Sequence, residues 1–318
     1  MIRIQTPSRL HFGLLSLPRE DASGLSVRRF GGVGLMIDSP GILLTIERSS
    51  SWVANGYLAE RAMSLARQFT TTPETAYRIT VERSPCEHTG LGVGTQLGLA
   101  VAKAIATDLG LQHLTTVELA KMVGRGQRSA IGVHGFERGG FLVEEGKSDL
   151  DAISALVASP KYPNEWPIVL VTPRHEGQWH GEREKLAFAR LFQRGMPVEW
   201  TSRLWEIVRS RMFVGLENRD VTTFGEAVYD YNRMSGEAFA EAQGGIYASK
   251  EIAFVVAVLR ELGLHGVGQS SWGPTVFAIA ESIVQAQWLM HRLREQFPES
   301  THEIMMTTVS NGAIIRSV

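Results

Sequence analysis

The chain has 318 residues, a length that favours two domains over one. Its formal net charge of −1 predicts no general attraction to nucleic acid or to an anionic membrane. The single cysteine, Cys86, excludes an internal disulfide and favours a reducing compartment. The N-terminus lacks the features of a secretory signal, and no apolar run approaches the ~20 residues of a membrane helix. We therefore expect a soluble, cytoplasmic protein with small-molecule partners and neither a nucleic-acid nor a membrane partner.

The first half of the chain is predicted to mix short strands with helices. Apolar patterning predicts strands at 2–6, 9–16, 41–47, 76–82 and 141–144, and a glycine cluster at 31–34 leads into a further strand that ends near 38. The turn Ser39-Pro40-Gly41 predicts a hairpin between the strands on either side of it. Helical spacing of apolar residues predicts helices at 57–69, 95–109 and 116–124.

A proline-containing linker at 159–167 divides the chain into predicted domains at 1–158 and 168–318. The second part is predicted to contain strands at 168–172, 275–280, 303–309 and 313–316, with a glycine-rich turn at 266–275. Its predicted helices span 183–192, 201–213, 222–234, 249–262 and 283–296. These elements predict an α+β domain with a small antiparallel sheet.

A loop with alternating glycines precedes the helix predicted to begin at Thr95. Gly90, Gly92 and Gly94 permit positive φ and a close approach to main-chain N–H groups, and the helix start adds a partial positive charge. That combination is typical of a phosphate site, although a flexible turn capped by Thr95 is the plainer alternative. It is not a Walker loop, because no lysine follows Gly94, and it does not follow directly on a strand as a dinucleotide loop does. Cations for a bound phosphate must therefore come from elsewhere in the chain.

The segment 124–140 is the best source of those cations. It contains six glycines and three arginines in 17 residues, and we expect it to be a loop. Arg125, Arg128 and Arg138 carry the guanidinium groups that grip phosphate with two parallel hydrogen bonds. For any one of them, a solvated surface charge is the alternative interpretation. Two arginines three residues apart among glycines make a phosphate-binding role the stronger hypothesis.

Two motifs resemble the GHMP kinase superfamily, which includes the galactokinases, homoserine kinases and mevalonate kinases. Residues 90–95 resemble its phosphate loop, and residues 266–278 resemble its C-terminal glycine motif. The resemblance implies an α+β, two-domain GHMP-kinase-like fold. In that fold an N-terminal α/β domain carries the glycine-rich phosphate loop and is followed by a ferredoxin-like α+β domain.

Within the superfamily, one branch resembles this chain best. Residues 6–14, 31–35, 92–97, 124–132 and 136–141 resemble the β-ribofuranosylaminobenzene 5′-phosphate synthases. The resemblance implies an enzyme of methanopterin biosynthesis. It would join 4-aminobenzoate, or 4-hydroxybenzoate in some members, to phosphoribosyl pyrophosphate with release of CO2 and pyrophosphate. Members of this branch carry an acidic residue soon after the second strand, whereas here the acidic residues come later, at Glu20 and Asp21.

The residues also separate this branch from a kinase. Mevalonate-type kinases carry Ser-Gly-Ile-Asp, in which the aspartate is the catalytic base, and here the matching residues are Ser129-Ala130-Ile131-Gly132. Glycine cannot accept a proton, and a general base is worth ~10²–10⁴-fold in rate. We therefore favour the synthase over an ATP-dependent GHMP kinase and over a non-catalytic ligand sensor on the same fold, which remain as alternatives.

The resemblance and the residue chemistry together give an expected site. The expected phosphate-binding residues are Gly90, Leu91, Gly92, Val93, Gly94, Thr95, Gln96, Arg125, Arg128 and Ser129. The expected substrate-binding residues are Arg9, His11, Gly268, Ser270, Ser271 and Gly273. The expected catalytic residues are Arg28, Arg29 and Glu137. Arg28 and Arg29 would anchor the carboxylate or the 5′-phosphate, and Glu137 is the nearest carboxylate, with a salt bridge as its alternative role. We expect Mg²⁺ bridging the substrate phosphates and no use of ATP, while the choice of acid and a homodimeric state stay open.

Overall fold

The computed structural model of the chain describes residues 1–16, 29–69, 75–147, 152–174 and 198–317. The strands are β1 (Ile2–Gln5), β2 (Ser8–Ser16), β3 (Phe30–Ile37), β4 (Leu43–Ser49), β5 (Val53–Asn55), β6 (Ala76–Arg83), β7 (Phe141–Glu144), β8 (Leu156–Ala158), β9 (Ile168–Pro173), β10 (Gly266–Gln269), β11 (Val276–Ile279), β12 (His302–Thr307) and β13 (Ile314–Ser317). The helices are α1 (Ala59–Arg67), α2 (Val93–Asp108), α3 (Thr116–Met122), α4 (Ile131–Arg138), α5 (Val198–Ile207), α6 (Phe213–Glu217), α7 (Val221–Glu237), α8 (Ala240–Gln243), α9 (Lys250–Glu261) and α10 (Ile283–Gln296). A π-helical turn, Val208–Met212, joins α5 to α6.

The first part of the chain builds two sheets around a buried helix. One sheet has the strand order β13-β1-β4-β6-β5, and the other has the order β2-β3-β7-β8. Helix α2 is apolar on most of its surface, and its residues from Leu97 to Ala102 are completely buried or nearly so. A helix without a polar face is stable only inside a core, which is why α2 lies within the first domain and contacts both α1 and β1. Its N-terminus is held by that core.

The second part of the chain is built on an antiparallel sheet of order β10-β11-β9-β12. Alternation along β9 divides its side chains between two cores. Val169 and Val171 pack with residues of α9 and α10, whereas Ile168 and Leu170 join the core that is continuous with the first part of the chain. The predicted α+β architecture is confirmed, and one apolar core extends from the first part of the chain to one face of this sheet.

Several sequence-based assignments need correction. Strands β3 and β4 do not form a hairpin, because β3 pairs with β2 and β7, whereas β4 pairs with β1 and β6. The last strand, β13, pairs with β1 in the first domain, where it was expected in the second. The predicted loop at 124–140 contains helix α4, and the predicted turn at 266–275 begins with strand β10. The predicted helix at 183–192 lies outside the described residues.

Close contact between two main chains explains two of the glycines. A Cβ on Gly273 would overlap the main-chain nitrogen of Gly90, and a Cβ on Gly90 would overlap the carbonyl oxygen of Ser270. We expected such glycines to admit a ligand. In the structure they admit the backbone of the other motif instead, so the phosphate loop and the C-terminal glycine motif are in direct contact.

Replacing Gly273 with alanine should therefore destabilise the fold. We expect a loss of about 2 kcal/mol or more in the free energy of unfolding, because a methyl group would force two backbones apart. Gly245→Ala is the matched control, since its Cβ would find only the Tyr247 carbonyl oxygen, 3.8 Å away. Urea unfolding of both variants measures the difference. Equal stability of the two variants would contradict the close contact.

Candidate active site

A cavity of about 410 Å³ lies where strand β2, the 124–129 segment and the second domain meet. This volume is within the range of about 300–1,000 Å³ that is usual for small-molecule pockets. The predicted residues that line the cavity are Arg9, His11, Thr95, Arg125, Arg128, Ser129 and Ser271. Residues that sequence analysis did not select also line it, among them Asn232, Ser235, Phe239, Gln243, Tyr247, Gln269 and Trp272.

Strand β2 supplies Arg9 and His11 to one wall of the cavity. The Arg9 main-chain N–H donates to the carbonyl of Leu91 over 2.9 Å, and the Arg9 side chain lies within van der Waals reach of Gly92. His11 is 4% exposed, and burial, followed by the nearby charge of Arg9, lowers its pKa well below the usual value. The imidazole is therefore neutral near pH 7, so Arg9 carries the positive charge of this wall.

Ser270 joins three distant segments behind the cavity. Its hydroxyl donates to the carbonyl of Gly90 over 2.8 Å and accepts the main-chain N–H of His11 over 3.1 Å. The next residue, Ser271, donates its N–H to the His11 carbonyl over 3.0 Å. Ser270 is completely buried, so it connects the phosphate loop, β2 and the C-terminal motif.

Helix α7 reinforces the same junction through Asn232. The Asn232 side-chain amide donates to the carbonyls of Phe12 and Gln269, over 2.7 and 2.9 Å, and its oxygen accepts the Gln269 N–H over 3.0 Å. One turn later, the Ser235 hydroxyl accepts the N–H of Leu14 over 2.9 Å. Sequence analysis missed both residues because a polar residue in an amphipathic helix usually faces solvent.

Two guanidinium groups converge on the start of α2. A methyl group at Gly94 would lie 3.2 Å from Arg61 Nη2 and 3.6 Å from Arg125 Nη1, so both arginines face this helix end. Burial, followed by the charge of Arg61, lowers the pKa of Arg125, yet an arginine remains charged at neutral pH. Arg61 also pairs with Glu87. With the helix dipole, these charges favour a bound anion.

The 124–130 segment is held in place by hydrogen bonds to the buried carboxyl group of Glu144. The Ser129 hydroxyl donates to Glu144 Oε1 over 2.6 Å, and the Ala130 N–H donates to Oε2 over 2.7 Å. Glu144 is completely buried, and burial raises its pKa against the opposing effect of these hydrogen bonds. This carboxyl ends strand β7, where the sequence gives no sign of a functional role. It positions the loop that carries Arg125 and Arg128.

Other predicted site residues do not line the cavity. These are Gly90, Leu91, Gly92, Val93, Gly94, Gln96, Arg29, Glu137, Gly268, Ser270 and Gly273. Glu137 lies at the end of α4, where its carboxylate forms a salt bridge with Lys103 over 3.0 Å, and its catalytic role stays a prediction. The main chains of Arg29, just before β3, and Lys147, just after β7, exchange two hydrogen bonds of 2.8 and 2.9 Å. Arg28 lies outside the described residues.

The cavity lining is cationic. Arg9, Arg125 and Arg128 contribute three positive charges, and no aspartate or glutamate is found among its described lining residues. At Gly132, the position of the kinase aspartate, an added Cβ would find only ordinary contacts with Thr95, Gln96 and Arg9. An acidic side chain could start there, but the chain does not have one. Across the described ranges, no three His, Cys, Asp or Glu residues cluster as metal ligands would.

Comparisons with known proteins agree with this geometry. Residues 212–299 match the family described as GHMP kinases C terminal. The β-ribofuranosylphenol 5′-phosphate synthase of Methanothermobacter thermautotrophicus is 33% identical over 87% of this chain and 88% of its own length. The Archaeoglobus fulgidus protein of the same name is 32% identical over 95% of both chains. This chain belongs to the β-ribofuranosylphenol 5′-phosphate synthase family.

Membership of this family confirms the predictions of a GHMP-type enzyme and of the synthase branch. A homoserine kinase structure from Listeria monocytogenes has the same fold, with a TM-score of 0.67 over 100% of both chains. At 17% identity, that likeness describes the fold of this chain and not its chemistry. Within the described ranges of the chain, every helix is too short or too polar to traverse a bilayer.

The raised pKa of Glu144 predicts how stability depends on pH. The folded chain prefers the protonated carboxyl, so the stability that this group provides is present at low pH. It is lost as the pH rises above the usual glutamate value of 4.5. We expect the free energy of unfolding of the wild type, relative to Glu144→Gln, to fall between pH 4 and pH 8. Urea unfolding across this range measures it. Glu303→Gln, which alters an exposed carboxyl on β12, is the control. If the stability of the wild type relative to Glu303→Gln falls in the same way, the effect comes from general charge, and the prediction is contradicted.

Proposed function

We propose that this synthase joins a 4-substituted benzoate to phosphoribosyl pyrophosphate and releases CO2 and pyrophosphate. The observation that supports the proposal is the charge of the cavity: three arginines line it, without a carboxylate among the described lining residues. A polyanionic substrate matches that charge, and arginine suits phosphate because its fork makes paired hydrogen bonds. The cavity volume suits one sugar phosphate beside one aromatic ring.

The proposed reaction needs no proton transfer to or from the enzyme. The bond between C1′ of the ribose and the pyrophosphate oxygen breaks, and its electron pair leaves with pyrophosphate. The ring carbon that bears the carboxylate then supplies the electron pair for the new bond to C1′. The bond to the carboxylate breaks, its electron pair returns to the ring, and CO2 leaves. Atoms and charge balance, so the absence of a base at Gly132 is compatible with this chemistry.

Catalysis would then rest on positioning and on stabilising the departing charge. Arg125, Arg61 and the start of α2 are the groups best placed to hold pyrophosphate, because both guanidinium groups face Gly94. Arg125 Nε supports this assignment, since it is buried and has no hydrogen-bond acceptor within the described part of the chain. A phosphate oxygen would satisfy it.

Magnesium is proposed to enter as part of the substrate complex. Mg²⁺ commonly keeps several waters and binds substrate phosphates with only one or two protein carboxylates. The described lining offers hydroxyl groups, such as those of Thr95 and Ser129, and no carboxylate. The pyrophosphate itself would therefore provide most of the ligands of the ion.

The relatives' name bears on the choice of acid. It specifies a ribofuranosylphenol, which is the product of 4-hydroxybenzoate, whereas 4-aminobenzoate gives the aminobenzene that sequence analysis put first. We therefore place 4-hydroxybenzoate ahead of 4-aminobenzoate. Methanopterin biosynthesis is the proposed pathway, on the strength of the family resemblance. An ATP-dependent kinase is disfavoured, since it would need a base where Gly132 stands.

Product release tests the proposal directly. Purified protein with Mg²⁺, phosphoribosyl pyrophosphate and carboxyl-labelled 4-hydroxybenzoate should release CO2 and pyrophosphate in equal amounts. Parallel reactions with 4-aminobenzoate rank the two acids. Pyrophosphate release that does not depend on an acid, or the absence of labelled CO2 with both acids, would contradict the proposed reaction.

Removal of Arg125 should weaken the use of phosphoribosyl pyrophosphate. We expect Arg125→Ala to lower kcat/KM for this substrate by at least ~10-fold, because a charge-assisted bond is worth roughly 1.5–3 kcal/mol. Lysine at this position should restore only part of the loss, since it lacks the planar fork. Lys121→Ala, an exposed cation on α3, is the matched control for net charge. Equal effects of Arg125→Ala and Lys121→Ala would contradict a specific role.

A further inference from the structure

One wall of the cavity is aromatic and comes from the second domain. The rings of Phe239 and Trp272 meet edge to face, with centroids 5.0 Å apart and planes 86° apart. Both line the cavity, together with Ile246 and Tyr247. Flat apolar side chains of this kind bind an aromatic ring well, because aromatic pairs gain from offset and edge-to-face contact beyond the area they bury. The arginine-bearing segment 124–129 lines the cavity from the first domain.

Gln243 adds a hydrogen-bond acceptor to this aromatic wall. Its main-chain N–H donates to the carbonyl of Phe239, the residue that precedes α8, over 3.1 Å, so the two residues lie one helical turn apart on the same side. The side-chain nitrogen of Gln243 donates to the carbonyl of Ile246 over 2.8 Å, which leaves Oε1 as the acceptor. Oε1 is shielded from water and receives no hydrogen bond from the described residues. A buried acceptor without a donor is unfavourable, so this oxygen favours a ligand that brings one.

We propose that the ring of the benzoate lies against Phe239 and Trp272, and that Gln243 Oε1 accepts a hydrogen bond from its 4-hydroxyl or 4-amino group. The inference rests on the proposed function and names the residues that recognise the acid. Gln243 is then a specificity-determining residue. It favours ring substituents that donate a hydrogen bond and disfavours isosteres that cannot.

The same contact would contribute to the reaction itself. As the ring attacks C1′, electrons move away from the 4-substituent, and its O–H or N–H becomes a stronger donor. A hydrogen bond to Gln243 Oε1 therefore strengthens between the bound state and the transition state, and such a change accelerates the chemical step. The amide accepts this bond without taking the proton, which agrees with a reaction that needs no general base.

Binding of two matched acids tests the inference without relying on turnover. 4-Fluorobenzoate is close in size to 4-hydroxybenzoate but has no proton to donate. We expect calorimetry, with Mg²⁺ and inorganic pyrophosphate present, to show wild-type protein binding 4-hydroxybenzoate about 10-fold more tightly than 4-fluorobenzoate. Gln243→Met should reduce this preference to about one. Gln296→Met, on the exposed end of α10, is the matched control and should keep it.

A second variant separates recognition from structure. Gln243→Met and Gln243→Glu both lose the hydrogen bond to the Ile246 carbonyl, but only glutamate keeps an acceptor oxygen. Retention of the preference in Gln243→Glu and its loss in Gln243→Met would support the inference. The same preference in Gln243→Met and wild type, equal losses in both variants, or no preference in the wild type would overturn it. If neither acid supports pyrophosphate release, the proposed function fails; if release occurs but Gln243→Met keeps the preference, this inference alone fails.

Discussion

The site depends on one buried hydroxyl. Ser270 donates to the carbonyl of Gly90 and accepts the N–H of His11, so a single side chain joins residues that are 180 and 259 positions away in the sequence. Ser270 is completely buried, and losing its bond to His11 would leave a buried main-chain N–H unsatisfied, at a cost of about 1–3 kcal/mol. The cavity therefore exists only when both parts of the chain are folded against each other.

The contact between the two parts of the chain explains why Gly90 and Gly273 are glycines better than the close approach of a ligand does. Gly90 and Gly273 lack side chains because the phosphate loop and the C-terminal motif lie backbone against backbone. The positive charge of the cavity comes from residues outside this junction, namely Arg9 on β2 and Arg125 after α3. The cavity therefore has cations on the side of the first domain and the Phe239 and Trp272 rings on the side of the second. Such a division suits the proposed reaction, which joins a phosphorylated sugar to an aromatic acid.

Features that depend on neighbouring residues could be predicted from the sequence, whereas features that depend on residues far apart in the chain could not. The loop at 90–95 and the arginines at 125 and 128 were found from sequence because glycine spacing and charge are visible within a few residues. Asn232, Glu144 and Arg61 were missed because their roles come from partners far away in the chain. Glu137 was chosen for its charge and its nearness to the arginines in sequence, yet helix α4 carries it to Lys103 at the surface. The helix hidden in the glycine-rich segment was missed because its apolar face packs on β3, a contact that no local pattern reveals.

We propose that the cavity of this GHMP fold is adapted to phosphoribosyl pyrophosphate instead of ATP. Calorimetry with Mg²⁺ and each ligand in turn tests this most directly. We expect phosphoribosyl pyrophosphate to bind more tightly than ATP, and Arg125→Ala to weaken the binding of phosphoribosyl pyrophosphate by about 10-fold or more. Tight binding of ATP, with no binding of phosphoribosyl pyrophosphate, would contradict it.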